Sequence, residues 1–309
     1  MSFGLLLIIT ASFLLLFWIF PSVLATILLF CGRWDKELYL DKTYLLPHKR
    51  KMEAAIFCLE ARASEQITII SRDNTVLSGR WFNAGSDKSA ILAHGFKASA
   101  ISNCCMQAVA FLNRGYNVLL IDQRAHGKSG GKATCFGLKE RYDILDWIKW
   151  LRVNKPCETL VAYGVSMGSA AIAYASPLIK NDEMQAMVLD CGFSSPYEQM
   201  NNIAREKHIP WAVMSPIVRL CVKLFFNCDI KDSVTDSLQR TKIPAFIIHG
   251  GMDEVVHCEH GRKNYLACAS SKDFAFIPEA NHATAFILGG DELEDKLFDF
   301  IRKQCIQGA

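Results

Sequence analysis

Short apolar runs alternate with amphipathic stretches over most of the chain, and this alternation predicts the secondary structure. Runs that are rich in β-branched or aromatic residues and end in turn residues are typical of β-strands. Eight such runs are found, at 65–70, 75–82, 89–93, 116–121, 159–163, 186–190, 245–249 and 272–277. Helical periodicity predicts helices at 106–114, 137–154, 167–178 and 292–304.

The order of these elements predicts the fold class. After an initial pair of strands, strands and helices alternate, which is typical of an α/β domain with helices on both faces of a sheet. The central runs are almost entirely apolar, as expected of parallel strands that are buried on both sides. We therefore expect a mostly parallel, eight-stranded sheet. The segment 193–241 breaks the alternation with Pro196, Pro210 and Pro216 and predicts a short helical cap.

The N-terminal segment is apolar enough to change this picture. Residues 1–32 carry no charged side chain, and the run 3–30 exceeds the roughly 20 apolar residues that cross a bilayer. We expect a single-pass membrane anchor at 1–32, a juxtamembrane segment at 33–64 and the α/β domain, with its cap, at 65–309. Basic residues follow the span and none precedes it, which favours a cytoplasmic location for the domain. A cleaved signal peptide or a buried core helix remains an alternative.

Composition and charge exclude several classes of protein. The chain has 309 residues, of which 51% are hydrophobic and 21% charged, so it is not disordered. The net charge of +3 gives no electrostatic argument for a nucleic-acid partner. The 12 cysteines contain no C-x-x-C pair, which favours free thiols in a reducing compartment, although an even number leaves a disulfide framework open.

A serine between two glycines is the strongest chemical signal. Gly164-Val165-Ser166-Met167-Gly168 follows an apolar strand and opens an alanine-rich helix. A serine on such a strand-to-helix turn is exposed as a nucleophile, and small residues are needed because neighbouring backbone crowds the turn. Ser166 is therefore the candidate nucleophile, and an ordinary tight turn is the alternative.

The residues that would activate this serine follow it in the expected chain order of serine, acid and histidine. Asp253 lies in the loop after the strand that ends at His249, and His282 lies 29 residues later, after the last predicted strand. Glu254 is the rival acid. The backbone amides of Phe96, after the third strand, and of Met167 are the candidate donors for an oxyanion.

Other patterns of reactive residues carry less weight. Gly127-Lys128-Ser129 resembles the end of a phosphate-binding loop, but position 122, where that motif requires glycine, is Asp. We expect Asp122 and Arg124 to hold this loop beside the site. The histidines at 249, 257 and 260 do not have a spacing that fixes a metal geometry. Cys191 and Cys258 lack a recognisable base, so we expect neither a metal nor a cofactor.

These segments together resemble the α/β-hydrolase fold from about Gln66 to Cys305. Within that superfamily the chain is similar to the serine aminopeptidase-like (S33-type) hydrolases, and most similar to the membrane-anchored Bem46-like and YqkD-like proteins. The matching pieces are His94–Phe96, 122–129, 164–168, 249–256 and 280–282. Ala125 departs from the pattern, because such proteins usually carry glycine there. The family label of peptidase does not by itself supply the substrate.

The sequence therefore predicts a membrane-anchored serine hydrolase that cleaves an ester or thioester through a Ser-His-Asp triad and an acyl-enzyme. Apolar cap residues favour a lipid-like acyl substrate if they line a pocket, but they are equally compatible with packing of the cap. These residues are Phe193, Trp211, Met214, Leu220, Leu224 and Phe225. An S33-type aminopeptidase or amidase, and a non-catalytic membrane-tethered scaffold, are the alternatives.

Overall fold

The protein folds around one central β-sheet of eight strands. The structure, a computed structural model, describes residues 3–34, 42–180 and 182–307. The strand order across the sheet is β1-β2-β4-β3-β5-β6-β7-β8. The strands are β1 (Glu65–Ile70), β2 (Val76–Phe82), β3 (Lys88–Ala93), β4 (Asn117–Asp122), β5 (Thr159–Val165), β6 (Ala186–Asp190), β7 (Ala245–Gly250) and β8 (Lys272–Ile277).

The sheet is mostly parallel, as the sequence predicts. The six strands from β4 to β8 in sheet order pair in parallel, whereas β2 runs antiparallel to both β1 and β4. Every residue of β6 and β7 is buried, which explains their continuous apolar sequences. Because parallel strands share one direction, the loops after β3, β5, β7 and β8 meet at the same edge of the sheet.

Helices cover both faces of the sheet. They are α1 (Phe3–Phe30), α2 (Lys49–Glu60), α3 (Ala100–Asn113), α4 (Glu140–Asn154), α5 (Met167–Ala175), α6 (Pro196–Glu206), α7 (Trp211–Phe226), α8 (Val234–Arg240), α9 (Cys258–Ala267) and α10 (Ala285–Gln307), the last interrupted at Gly290. One core packs α4, α5, α7 and α8 on the sheet, and the other packs α2, α3 and α10 on the opposite face.

The last turns of α1 pack on the domain. The Phe30 side chain is fully buried, and its ring centroid lies 5.1 Å from that of Phe136 and 5.5 Å from that of Phe226 in α7. Four residues further on, Trp34 forms an isolated β-bridge with His126. The end of α1 is thus attached to the loop that follows β4 and to the cap helix α7.

The predicted membrane anchor at 1–32 is not supported. Within residues 3–34, 42–180 and 182–307, no helix has the length and sustained apolar character that crossing a bilayer requires. On its buried face, α1 carries two hydroxyl groups that hydrogen-bond to the helix backbone, from Ser22 to the Trp18 carbonyl (2.7 Å) and from Thr26 to the Ser22 carbonyl (2.8 Å). Of the predicted juxtamembrane segment, residues 35–41 lie outside the described residues.

Three helices, α6, α7 and α8, occupy the predicted cap region between β6 and β7. The six apolar residues considered as pocket walls fall into two groups. Phe193, Trp211 and Met214 are buried in the core that packs α4 and α5. The remaining three, in α7, are exposed on the surface: Leu220, Leu224 and Phe225. The cap residues therefore divide between core packing and solvent exposure.

Candidate active site

Ser166 lies on the turn between β5 and α5, with φ +55° and ψ −112°. This left-handed conformation is rare for a residue with a side chain, and here the packing around it holds it in place. A Cβ atom at Gly164 would lie 2.4 Å from the Gly168 carbonyl carbon, and one at Gly168 would lie 2.2 Å from the Ala93 carbonyl oxygen. Both positions therefore require glycine, as the motif predicts.

The three side chains predicted to form a relay are adjacent. His282 Nε2 lies 3.1 Å from the Ser166 hydroxyl oxygen, and His282 Nδ1 lies 2.8 Å from Asp253 Oδ2. All three residues are buried, so water competes little for these hydrogen bonds. The arrangement can accept a proton from the serine hydroxyl at Nε2 while the carboxylate stabilises the positive imidazole.

Backbone donors hold the Asp253 carboxylate in its charged form. Its Oδ1 accepts hydrogen bonds from the amides of Val255 (2.9 Å) and Val256 (2.7 Å). Burial acts to raise the pKa of Asp253, but His282 and these donors outweigh it and hold the pKa below its ordinary value. Glu254, the rival acid, is exposed and donates its backbone amide to Asn281 Oδ1 (3.3 Å).

One amide side chain connects the loop of the acid to the loop of the histidine. Asn281 Oδ1 accepts hydrogen bonds from the backbone amides of both His282 (2.6 Å) and Glu254 (3.3 Å). The hydroxyl of Thr284 in turn donates to the Asn281 carbonyl at 2.9 Å. The positions of the carboxylate and the imidazole are therefore coupled through the backbone as well as through their own hydrogen bond.

The loop after β3 passes close to the serine. A Cβ atom at Gly95 would lie 3.2 Å from the Ser166 Cβ, and the Gly95 amide donates to Asn103 Oδ1 at 2.6 Å. In the part of the chain that the structure describes, neither the Phe96 nor the Met167 amide donates to a protein acceptor. Both amides thus remain available to an oxygen atom bound beside Ser166.

Comparisons with known proteins agree with this fold. Residues 91–211 match the family model described as alpha/beta hydrolase fold. The chain is 26% identical over 203 residues to the uncharacterised protein YqkD of Bacillus subtilis strain 168, which covers 63% of this chain and 65% of that protein. The match to YqkD thus spans just under two thirds of its length.

Two further relatives carry names that describe an activity. The chain is 23% identical over 205 residues to lysophosphatidylserine lipase ABHD12 of Macaca fascicularis, covering 61% of this chain and 49% of that protein. The crystal structure of the Pyrococcus furiosus esterase Pf2001 superposes with a TM-score of 0.64 at 28% identity, covering 79% of this chain and 93% of the esterase. The chain has the α/β-hydrolase fold and is similar in sequence to these proteins. The predicted resemblance to YqkD-like proteins is confirmed, and the esterase neighbours support a hydrolase.

Two buried histidines hold the loop that contains Phe96. His94 Nε2 accepts a hydrogen bond from the backbone amide of Gln123 (3.0 Å), and His126 Nε2 accepts one from the backbone amide of Lys97 (3.0 Å). Their Nδ1 atoms lie 2.7 Å from the Gly95 carbonyl and 2.8 Å from the Arg124 carbonyl, which fixes the neutral Nδ1–H tautomer. Burial lowers the pKa of each histidine to about 4.

The loop at 122–129 is held by Arg124 and Asp122, as the sequence predicts. Arg124 forms a buried ion pair with Asp143 (2.6 Å) and a second with Asp73 (2.8 Å). Burial opposes the charge of Arg124, yet these carboxylates raise its pKa. The Asp122 carboxylate accepts hydrogen bonds from the backbone amides of Ala100 (3.3 Å) and Lys128 (3.0 Å), which fixes the loop to the start of α3.

The histidines considered as metal ligands have other partners. His249 Nε2 lies 2.8 Å from the Val256 carbonyl, His257 Nε2 lies 2.7 Å from Glu206 Oε1, and His260 contacts Ser194 and Asn202 through its two ring nitrogens. Ligand atoms of Cys191, Asp253 and His282 lie within 4.8 Å of one another. Both nitrogens of His282 are engaged, and burial raises the pKa of the Cys191 thiol, so this set does not fit a metal ion.

Sequence reasoning missed two residues around this relay, Tyr44 and Asp190. The ring centroid of Tyr44, from the segment before α2, lies 6.2 Å from that of His282, and its buried hydroxyl has no partner among the described residues. Asp190, at the end of β6, accepts the Tyr163 hydroxyl at 2.7 Å, and burial raises its pKa to about 6. The carbonyl of Asp190 accepts the Ser166 amide at 2.8 Å. One sequence signal was available for Asp190, because it ends the predicted strand at 186–190.

Proposed function

We propose that the protein is a serine hydrolase that cleaves carboxylic esters or thioesters through an acyl-enzyme. The observation that carries the proposal is the continuous relay from Ser166 through His282 to Asp253, with contacts of 3.1 Å and 2.8 Å. A serine hydroxyl is a weak nucleophile without an adjacent base, and a base needs a third group to fix its tautomer. The Asp253 carboxylate supplies that group.

The first half of the reaction forms the acyl-enzyme. His282 Nε2 takes the proton of the Ser166 hydroxyl while the oxygen attacks the carbonyl carbon of the substrate. The amides of Phe96 and Met167 stabilise the negative oxygen of the tetrahedral intermediate. The intermediate then collapses, the bond to the leaving alcohol or thiol breaks, and the proton on Nε2 passes to that leaving group.

The second half restores the enzyme. Water gives a proton to His282 Nε2 and attacks the acyl carbon, and the same two amides stabilise the second oxyanion. Collapse releases the carboxylic acid and returns the proton to Ser166. The Asp253 carboxylate stays charged throughout, because its pKa lies below the ordinary value for an aspartate.

The comparisons favour esters over amides as substrates. Pf2001 is an esterase with 28% identity to this chain, and the name of ABHD12 describes a lipase that acts on an acyl lipid. We therefore place acyl esters and thioesters first. An aminopeptidase requires groups that hold a free amino terminus, and the carboxylates at the relay are already engaged by His282 and Tyr163.

The experiment that tests the proposal is labelling of the full chain with a fluorophosphonate probe. We expect wild-type protein to be labelled and Ser166→Ala to be labelled only at background, with the kcat/KM for p-nitrophenyl esters falling by roughly 10³-fold or more. Series of p-nitrophenyl and acyl-CoA esters would measure the acyl-chain preference, and an alanine p-nitroanilide would measure amidase activity.

Ser194→Ala is the matched control. Ser194 is also a buried serine whose hydroxyl lies 2.8 Å from a histidine nitrogen, that of His260, and 2.6 Å from a carboxylate, that of Glu198. It does not lie on the turn after β5, so we expect full labelling of Ser194→Ala. Labelling that persists in Ser166→Ala but disappears in Ser194→Ala would overturn the assignment of the nucleophile.

A further inference from the structure

A second histidine lies beside the proposed catalytic acid, and the proposed mechanism does not use it. His249 belongs to β7 and is fully buried, with its Nε2 atom 2.8 Å from the Val256 carbonyl oxygen and 3.6 Å from Asp253 Oδ2. We propose that His249 is a positioning residue that fixes the loop of the acid, so that the Asp253 carboxylate stays aligned with His282. This inference rests on the proposed function and adds a residue to its machinery.

The contact with Val256 defines which nitrogen of the His249 ring carries the proton. A carbonyl oxygen can only accept a hydrogen bond, so Nε2 must carry the hydrogen and donate it. Burial lowers the pKa of His249, which favours the neutral ring. Nδ1 then has a lone pair, and it has no hydrogen-bond partner in the part of the chain that the structure describes. His249 therefore presents an N–H group, and not a lone pair, to the loop of the acid.

Val256 transmits this contact to the carboxylate. Its amide donates to Asp253 Oδ1 at 2.7 Å, while its carbonyl accepts the hydrogen bond from His249 at 2.8 Å. Both polar backbone groups of one residue are thus engaged, so the turn that holds Oδ1 is fixed from two sides. The other oxygen, Oδ2, is left to face His282 Nδ1 at 2.8 Å. A shift of Val256 that loosened the carboxylate would also break the contact with His249.

The His249 ring also acts directly on Oδ2. At 3.6 Å the separation is too long for a hydrogen bond, but the positive end of the N–H bond still favours a negative charge on Asp253. Two imidazole rings therefore approach Oδ2, the proposed base at 2.8 Å and His249 at 3.6 Å. The side chains of His249 and Asp253 are fully buried, so solvent screens this attraction little.

Helix α9 holds the His249 ring in this position. A Cβ atom at Gly261 would lie 2.8 Å from His249 Cγ and closer still to Nδ1, so the ring packs directly against the helix backbone. Glycine is a poor helix former, and at this position it leaves the space that the imidazole fills. The ionisable groups around the ring are Asp253 and His282 on the side of the acid, and His260 on α9. The ring is thus confined between the loop of the acid and α9, which limits how far its N–H group can move.

The test compares two amide variants of the full chain, with p-nitrophenyl octanoate as the substrate. In His249→Gln the side-chain amide can place an N–H group near the position of Nε2, whereas in His249→Asn the side chain is one methylene shorter. We expect His249→Asn to lose roughly 10- to 100-fold in kcat with little change in KM, because a misplaced carboxylate affects the transition state more than substrate binding. We expect His249→Gln to retain kcat within about fivefold.

The pH profile of kcat/KM separates positioning of the acid from a general structural role. A carboxylate that loses its alignment stabilises the protonated imidazole less, so the base becomes active at lower pH. We expect the acidic limb of the profile to move to lower pH by about half a unit or more in His249→Asn, and to keep its wild-type position in His249→Gln. Urea denaturation of both variants measures whether they are equally stable.

Two further variants complete the test. Gly261→Ala keeps the imidazole but displaces it, so we expect a loss of kcat comparable to that of His249→Asn. The matched control is His260→Asn, because His260 is also a buried histidine with both ring nitrogens engaged, but its partners are Ser194 and Asn202 and not the loop of the acid. We expect His260→Asn to keep the wild-type kcat within about twofold and to leave the acidic limb unmoved.

The possible failures can be told apart. Wild-type kcat and an unmoved acidic limb in folded His249→Asn overturn the inference, and so does a loss in His249→Gln as large as that in His249→Asn. If His249→Asn does not fold, Gly261→Ala decides: wild-type kcat overturns the inference, and a lower kcat with an acidic limb at lower pH supports it. If wild-type protein neither hydrolyses the ester in a Ser166-dependent manner nor reacts with fluorophosphonate, the proposed function itself fails.

Discussion

The two sides of Ser166 are built in different ways. On one side, the loops after β3, β5, β7 and β8 are fixed by short backbone hydrogen bonds and by glycines that allow close approach, as at Gly168. On the N-terminal side, Phe30, Trp34 and Tyr44 contact the domain through their rings, and Phe30 and Trp34 also form backbone hydrogen bonds with it. The sheet-end side, which consists of these four loops, is therefore specified by local sequence motifs. The N-terminal side depends on contacts between residues that are distant in sequence.

Gly168→Ala tests the sheet-end side and should have the largest effect. The new Cβ would lie 2.2 Å from the Ala93 carbonyl oxygen and 2.8 Å from that of His94, and backbone cannot move aside cheaply. We expect a loss of more than about 4 kcal/mol in the free energy of unfolding, measured by urea denaturation, together with loss of fluorophosphonate labelling. Gly115→Ala is the control, because Gly115 has φ +76° but no atom within 4 Å of its added Cβ, and it should lose only about 1 kcal/mol. Equal losses in the two variants would contradict the close-approach argument.

Phe30→Ala tests the N-terminal side. The fully buried ring contacts Phe136 and stacks on Phe226 of α7, so its removal leaves a cavity between α1, the loop after β4 and the cap. We expect a loss of about 3 kcal/mol in the free energy of unfolding. Phe13→Ala in the same helix should change it by less than about 1 kcal/mol, because that side chain is 68% exposed. If both variants lose the same amount, the end of α1 does not pack on the domain.

The pH dependence of stability sharpens the contrast, because the buried His94 lies on the sheet-end side, directly after β3. The pKa of His94 is about 4 in the folded protein, against an ordinary value near 6.5. The unfolded chain therefore binds more protons below pH 6.5, so stability falls as the pH falls from 6.5 towards 4. Between pH 6.5 and 5, His94 alone should account for a loss of about 2 kcal/mol in the free energy of unfolding.

Urea denaturation at several pH values measures this loss. His94→Gln should reduce the slope of unfolding free energy against pH, whereas His208→Gln should leave the slope unchanged, because His208 is exposed on the cap and has no buried partner in the described residues. A slope that His94→Gln does not alter would show that other groups govern the acid sensitivity.

The same contrast explains which parts of the molecule could be predicted from the sequence. The eight strands lie within two residues of their predicted bounds, because their apolar runs reflect burial on both faces of the sheet. Ser166, His282 and Asp253, predicted to converge, do lie together, since each follows a strand that ends at the same sheet edge. Their catalytic roles remain the proposal that labelling will test.

What the sequence did not predict depends on tertiary contacts. The helix α9 was missed, since it is short and is supported mainly by its neighbours. The approach of Tyr44 to His282 has no local sequence signature, because the two residues are 238 positions apart. The apolar pattern of residues 3–30 predicted a bilayer as its environment, and the pattern alone could not reveal that Phe30 packs on Phe226.

The Asn281 side chain has a consequence for how the site tolerates motion. Its single side-chain oxygen accepts hydrogen bonds from the backbone amides of Glu254 and His282, in the loops that follow the neighbouring strands β7 and β8. A displacement of one strand along the other would therefore carry the carboxylate and the imidazole together as a unit. Transplanting this pair into another scaffold would need the asparagine as well, since its side chain joins the backbones of the two loops and so supports the alignment of the imidazole with the carboxylate.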